Sequence, residues 1–478
     1  MLKPIQGLPL ILLAALGGCM SMAPRYKTPP RPTPSQWPEG PAYAPSGAPA
    51  KPAADVAWQD FYVDAKLRKV LTLALAHNPD LRIAALNTEK VRGAYRIQRA
   101  ELLPSINAAA AGTRQRVPAS VSSTGKDLIA EQDSVTVGVT AWELDFFGRV
   151  RSLKNQALEQ YLATEQAQAS ARISLLAEVS NLYLTLAADR DALRLAKETF
   201  ASQEATHTLT QRRFQAGIAS ELDARRVEVS METARVDVAS ATRLVALDEN
   251  ALTFLVGAPV PADCQPAGLE GVAPLQDFTP GLPSDVLMAR PDIRMAENQL
   301  RAANANIGAA RAAFFPRISL TTGIGTMGSE LSGLFKSGSD TWSFSPQVVL
   351  PLFNTGATKA GLDVAKADRD IRLAQYEKAV QAGFREVADT LAQRGTLGEQ
   401  LAAQESLTRA LERTFQLAKA RYEAGADGYL GVLDAQRSLF GAQQGLIALR
   451  RARAANLVTL YKVLGGGLRE KAAGTGSH

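Results

Sequence analysis

The sequence predicts an α+β membrane protein. It is a tandem-duplicated unit in which each half supplies a β-hairpin and a long helical hairpin, so one chain carries four strands and cannot close a barrel by itself. Three observations point there. Short motifs recur at a shift near 210 residues, the apolar period falls to two after each of two prolines, and neither Pro nor Gly interrupts residues 149–214.

The duplication is legible in pairs. Asn78-Pro79-Asp80-Leu81-Arg82 returns as Arg290-Pro291-Asp292-Ile293-Arg294, and Arg99-Ala100-Glu101-Leu102-Leu103-Pro104 as Arg311-Ala312-Ala313-Phe314-Phe315-Pro316, both at a shift of 212. Arg213-Phe214-Gln215-Ala216-Gly217 matches Arg421-Tyr422-Glu423-Ala424-Gly425 at 208, and Leu222-Asp223-Ala224 matches Leu433-Asp434-Ala435 at 211. So long a period denotes duplicated halves of one body, 58–256 and 284–467, joined by the Pro- and Gly-rich residues 257–283 and followed by a tail, 468–478.

The first 18 residues read as an address. Lys3 precedes an apolar run from Leu8 to Leu16, which meets Gly17, Gly18 and Cys19. This resembles a bacterial lipoprotein signal whose cleavage leaves a lipid on Cys19. Met20, where such lipoproteins carry Asp for inner-membrane retention, implies release to the outer membrane. Ten prolines between 24 and 52 then exclude a helix or a paired strand, so residues 19–57 are expected to be an extended tether, with folded structure from about Trp58.

In each half a helix of about 20 residues should end at Pro104 or Pro316. Hairpins follow at 105–144, with a loop near 117–132, and at 317–350, with a loop near 328–340. Val135, Val137, Val139 and Ala141 alternate with small polar residues, as do Ile318, Leu320, Thr322 and Ile324, and Trp342, Phe344, Pro346, Val348 and Leu350. The helical hairpins then run from 149 to 256 and from 356 to 464. Their first arms reach about 100 Å at 1.5 Å per residue. Leu175, Val179, Leu182, Leu186, Leu193, Ala196 and Phe200 follow a coiled-coil register broken by Asp189. Gly-containing turns at 215–220 and 423–428 form the tips.

Strands of about ten residues with one apolar face suit an outer membrane, so the barrel must be shared. Two copies would give 8 strands, which side chains fill; three give 12, enough for an open lumen; four give 16. The small polar residues Ser319, Thr321, Gly323 and Ser343 favour an open bore and a trimer.

Composition narrows the function. The chain of 478 residues has 46% hydrophobic and 21% charged residues, and its net charge of +6 is spread in alternating sign, a solvated surface rather than a nucleic-acid site. Mean hydropathy of -0.07 leaves no room for a bundle of apolar helices. Cys19, Cys264, His77, His207 and His478 lie too far apart for a disulfide framework or a metal centre, and a lipidated Cys19 leaves Cys264 a lone thiol. Gly323-Ile324-Gly325-Thr326-Met327-Gly328 fits a dinucleotide fingerprint in letters but sits inside a strand, and Gly465 to Gly467 lacks the Lys of a phosphate loop. Neither an enzyme nor a cofactor beyond the N-terminal lipid is expected.

Tyr95 to Ala100, Trp142 to Arg149, Gln156 to Ala163, Gly308 to Pro316 and Leu433 to Phe440 closely resemble the outer-membrane factors of tripartite efflux pumps, the TolC-like family and its OprM-like lipoprotein branch. The resemblance spans nearly the whole chain, from Leu16 to Gly467. It implies a homotrimer with a 12-stranded outer-membrane barrel continued by an α-helical periplasmic tunnel in a Gram-negative bacterium. Its partners would be a periplasmic membrane-fusion adaptor and an inner-membrane transporter of the resistance-nodulation-division type. The same architecture would serve type I polypeptide secretion. Leu430, Asp434 and Arg437 share a helix face at steps of four and three. The resemblance makes them the lining of a periplasmic gate, with Arg421 and Tyr422 tying neighbouring coils shut. Gly217 and Gly425 at the tips are the expected adaptor-docking points.

Overall fold

The computed structural model describes residues 21–30, 32–43, 53–272 and 284–471. Cys19 and the leader before it lie outside the described residues. Eight helices and four strands follow in order: α1 Trp58–Phe61, α2 Ala65–His77, α3 Pro79–Ala100, β1 Ile106–Val117, β2 Leu128–Glu143, α4 Arg149–Gln215, α5 Glu221–Val256, α6 Pro291–Ala312, β3 Arg317–Gly328, β4 Asp340–Val349, α7 Ala357–Glu423 and α8 Tyr429–Val463. The duplication keeps helix lengths, α5 and α8 differing by one residue at 36 and 35. Both α3 and α6 have 22 residues, and both α4 and α7 have 67.

The chain divides into two compact units, each drawing on both repeats. One gathers Met1–Pro30, Asn87–Glu165 and Met295–Tyr376; the other gathers Arg31–Leu86, Gln166–Arg294 and Glu377–His478.

The first unit holds the sheet, an antiparallel meander in the order β1-β2-β3-β4. Cross-strand register puts the apolar positions in rows: Ala108, Val137, Ile324 and Trp342 in one, Ile106, Val139, Thr322 and Phe344 in the next. From Trp342 to Leu350 this face extends about 27 Å along the strand, the scale of an outer-membrane apolar band. The sequence placed Ala141 on this face, and the structure corrects it. β2 advances three residues from Val139 to Trp142 while β3 advances two, a bulge that hands the position to Trp142 opposite Leu320. Ala141 takes φ 51° there, and its N–H donates to Thr321 Oγ1 at 3.1 Å. The first hairpin loop is also shorter than expected, since β2 begins at Leu128. The glycines of the G-x-G-x-x-G run serve packing: a Cβ at Gly325 would sit 2.0 Å from the Val135 carbonyl oxygen.

The proline-rich segment is extended but not free. Arg311 donates to the Met22 carbonyl at 3.1 Å, Asn304 to the Pro24 carbonyl at 2.8 Å, and the Arg301 guanidinium lies 4.8 Å over the Tyr26 ring. Residues 22–26 thus lie along α6.

The second unit holds the larger core. Helix α2, absent from the sequence reading, is capped by Asp64, whose carboxylate accepts the Leu67 N–H at 2.7 Å. It buries Leu67, Val70, Leu71 and Ala74, at roughly 2 kcal/mol for each larger side chain. Phe61 stacks on Tyr461 with centroids 4.0 Å apart. The repeated Asn-Pro and Arg-Pro motifs start α3 and α6 by different means. Asn78 caps α3 by accepting the Leu81 N–H at 2.8 Å. Buried Arg290 instead holds Asp292 and Glu386 in ion pairs of 2.7 and 2.8 Å and donates to the Val463 carbonyl at 2.9 Å. Cys264 is a free, buried thiol. No helix among the described residues is long and apolar enough to cross a membrane.

Candidate gate at the tips of the helical hairpins

Both tips close in the same way. Gly217 and Gly425 take φ 73° and 72°, the left-handed conformation that costs a side chain about 1–2 kcal/mol. The Gly217 N–H donates to the Phe214 carbonyl at 2.9 Å and the Ile218 N–H to Arg213 at 2.8 Å; Gly425 and Ala426 repeat this on Tyr422 and Arg421 at 3.0 and 2.9 Å. A Cβ at either glycine would meet open space. The turns therefore present bare backbone.

The helices that return from the tips differ. Ser220 caps α5: its hydroxyl accepts the Asp223 N–H at 3.1 Å. Gly428 holds the matching place before α8 without a side-chain cap. The second tip is tied instead by Arg421, which pairs with Asp427 across its own turn, the Nη2 to Oδ1 contact being 3.1 Å. The Arg421 hydrogen bond holds the Asp427 carboxyl below its usual range.

Behind this turn lies a small core. Val227, Tyr429, Val432 and Leu433 are buried, with Phe415, Ala418 and Tyr422 packed against them. Tyr422 meets Tyr429 edge-on at 5.3 Å, and Arg213 lies 5.7 Å over the Tyr422 ring. The Tyr429 hydroxyl, its pKa pushed up to about 12 by burial, donates to Gln203 Oε1 at 3.2 Å. Buried Gln203 donates in turn to Gln436.

On the other face of α8, Leu430 is 58% exposed, and Asp434 and Arg437 are exposed beside it. These three expected lining residues do share one free face. Among the described residues Asp434 and Arg437 form no ion pair with each other, although three residues apart on a helix. Arg421 and Tyr422 find their partners within their own chain. Sequence reasoning missed Asp427, Tyr429, Arg213 and Gln203. An acid six residues after Arg421 across a turn was a usable signal for the first; the Gln203 contacts join residues more than 200 apart and leave none.

Paired helical hairpins with a charged face near the tip, on a chain that also carries an open membrane-type sheet, define a channel protein. A model of the family described as "Outer membrane efflux protein" matches residues 70–258 and 282–466, and the chain belongs to this family. It is 49% identical over 457 residues to the probable efflux pump outer membrane protein TtgC of Pseudomonas putida, across 95% of this chain and 94% of TtgC. It is 44% identical over 473 residues to the outer membrane protein OprJ of Pseudomonas aeruginosa, across 98% of each. The open state of the Neisseria gonorrhoeae MtrE outer membrane channel has a similar fold, with a TM-score of 0.84 and 38% identity over 94% of this chain and 99% of MtrE.

Proposed function

We propose that this chain is the outer-membrane exit channel of a tripartite efflux system, passively conducting small molecules that an inner-membrane transporter delivers through a periplasmic adaptor. The open sheet carries this reading. It has an apolar face of membrane height and two edge strands, β1 and β4, without a partner in the chain. Unpaired backbone groups cost several kcal/mol each in hydrocarbon, so a membrane-inserted sheet must close with further copies. Three copies make a 12-stranded barrel, and the family supports that number. The helical hairpins then form the periplasmic tunnel. Leu430, Asp434 and Arg437 become rings around the axis at its narrow end, and the bare turns at Gly217 and Gly425 meet the adaptor. A lipid on Cys19 anchors the chain, and the segment docked along α6 sets where that anchor leaves the body.

A strain deleted for this gene should accumulate ethidium, and plasmid-borne protein should restore its export while migrating as a trimer on unheated gels. Monomeric protein in detergent, or restored export from a variant that cannot insert its sheet, would sink the proposal. Radioactive palmitate should label the wild type and not Cys19→Ala; equal labelling removes the anchor.

A further inference from the structure

The two places where a strand turns into a long helix are related by the duplication, yet only one is completed within the chain. After β2, the Leu144 N–H donates to the Ile318 carbonyl at 2.8 Å. Phe147 stacks on Phe315 with centroids 4.8 Å apart, and Asp145 caps α4, its oxygens accepting the Val150 and Arg151 N–H groups at 3.1 and 2.9 Å. The chain leaving β2 thus packs on the chain about to enter β3, around the end of α6.

After β4 the matching segment is exposed throughout, its Asn354 donating only to Thr358 on the first turn of α7 among the described residues. Leu144-Asp145-Phe146-Phe147-Gly148 corresponds to Leu352-Phe353-Asn354-Thr355-Gly356, and both end on a glycine of positive φ, 73° and 85°. Leu352 and Phe353 are each 89% exposed, and Val364 and Ile371 on α7 are bare as well. Thr355 holds φ 53°, which fixes how the chain turns into α7. At the far side of the sheet, the chain about to enter β1 shows the complementary defect. Ile97 and Leu103 are each 72% exposed and Ile106 is 73% exposed. With Trp142 and Leu153, Ile97 and Leu103 form the apolar wall of a hollow of about 490 Å³ whose other walls include Gln98, Glu101, Glu143, Arg149 and Arg317. By the 212-residue shift, Leu103 is the counterpart of Phe315 and Ile106 that of Ile318.

We infer that Leu352 and Phe353 of one copy seat against Ile97 and Leu103 of the next, with Leu352 beside Ile106 as Leu144 lies beside Ile318 within the chain; Phe353 stands in place of Asp145 and supplies the apolar contact that Thr355, in place of Phe147, lacks. The occupant is a second copy because β1 and β4 are the two free edges and run antiparallel. Pairing them brings the chain leaving β4 beside the chain entering β1. The register also conserves the faces: Leu350 falls opposite Ala108, both on the apolar side. This inference rests on the shared barrel proposed above and adds its register and its apolar lock.

Cysteine pairs test it in full-length protein carrying Cys264→Ser, with Cys19 retained. Ile106→Cys with Leu352→Cys should give covalent dimers and trimers on oxidation with copper phenanthroline in membranes, since directly opposed residues lie within disulfide reach. Asn107→Cys with Leu352→Cys, whose side chains point to opposite faces, should give at most a tenth of that yield. Equal or reversed yields overturn the register. An intact trimer on unheated gels with no cross-link from either pair overturns the lock and leaves the shared barrel standing, the apolar side chains then facing lipid. Protein that is monomeric by the same gel overturns both.

Discussion

The two helical hairpins have the same backbone and different surfaces. Arg149 and Ala357 open α4 and α7, and Glu221 and Tyr429 open α5 and α8, in both cases 208 residues apart. At that register Leu222, Val229 and Val236, three of the exposed apolar positions on α5, stand seven apart, with Arg226 between the first two. Their counterparts on α8 are Leu430, Arg437 and Gln444, and Asp434 stands where α5 carries Arg226, an acid in place of a base. A face carrying one acid and one base, unpaired with each other, depends on what it meets across the axis. We propose that the returning arm of the second hairpin is the one that moves.

The largest expected effect breaks what the tips share. Gly217→Trp or Gly425→Trp forces a bulky side chain into the left-handed conformation on the bare turn proposed to meet the adaptor. Either variant should leave the cell as drug-susceptible as one lacking the gene, with trimer abundance in the outer membrane unchanged. Normal resistance in Gly425→Trp would count heavily against docking at the tips.

Next in size is the small core behind the second tip, which Tyr429, Val432 and Leu433 form with Val227 of α5. Tyr429→Ala should cost about 3–5 kcal/mol of local stability, as for other buried aromatics. It should raise amide hydrogen exchange across residues 415–435, whereas Glu221→Ala, the exposed counterpart, should leave 207–227 as in the wild type. Equal exchange in the two variants would remove the distinction between the tips.

Acidity should act on the first hairpin instead. Burial, and then the neighbouring Asp189, raise the Asp248 carboxyl to about 6. A folded-state pKa above the unfolded value favours the fold most fully below the unfolded pKa, and that contribution is lost as pH rises through about 6. The matching positions of the second hairpin are Leu397 and Asn456, and Asn456 donates to the Thr390 carbonyl at 3.0 Å. Thermal unfolding should therefore begin at a higher temperature at pH 5 than at pH 7, and Asp248→Asn should remove that difference. Asp427, held below its usual range, keeps its ion pair throughout this window. The smallest effect is Ser220→Ala, where loss of the cap should cost about 1 kcal/mol in the first hairpin alone.

The tips and the ends of the long helices were legible where Gly or a change of period marked them, so α4, α5, α7 and α8 fall within a residue of their expected bounds, whereas α3 and α6 stop at Ala100 and Ala312, four residues before the prolines expected to end them. Features decided by contacts between distant segments were not. The bulge at Ala141 comes from β2 meeting β3, and strict alternation along β2 hides it. The docking of residues 22–26 on α6 has no local signature. Helix α2 was legible, with Asp64 ahead of Leu67, Val70, Leu71 and Ala74 at helical steps, but it precedes Asn78-Pro79, the first of the duplicated motifs from which the elements were traced. The Leu-Asp-Ala match at 211 misled most: the helices repeat at 208, so Asp223 is not the counterpart of Asp434. For the gate, the sequence and the resemblance identified the exposed trio, while the core that holds it needed the fold.

Single-channel conductance in planar bilayers tests the central claim, that the charged face of α8 closes the periplasmic end. Asp434→Ala should raise conductance and weaken cation preference, because a ring of acids favours cations. Arg421→Ala, which frees the turn from Asp427, should raise conductance with selectivity kept, and Arg226→Ala at the matching place on α5 should change neither. Wild-type conductance and selectivity in both Asp434→Ala and Arg421→Ala would contradict the account and put the constriction elsewhere.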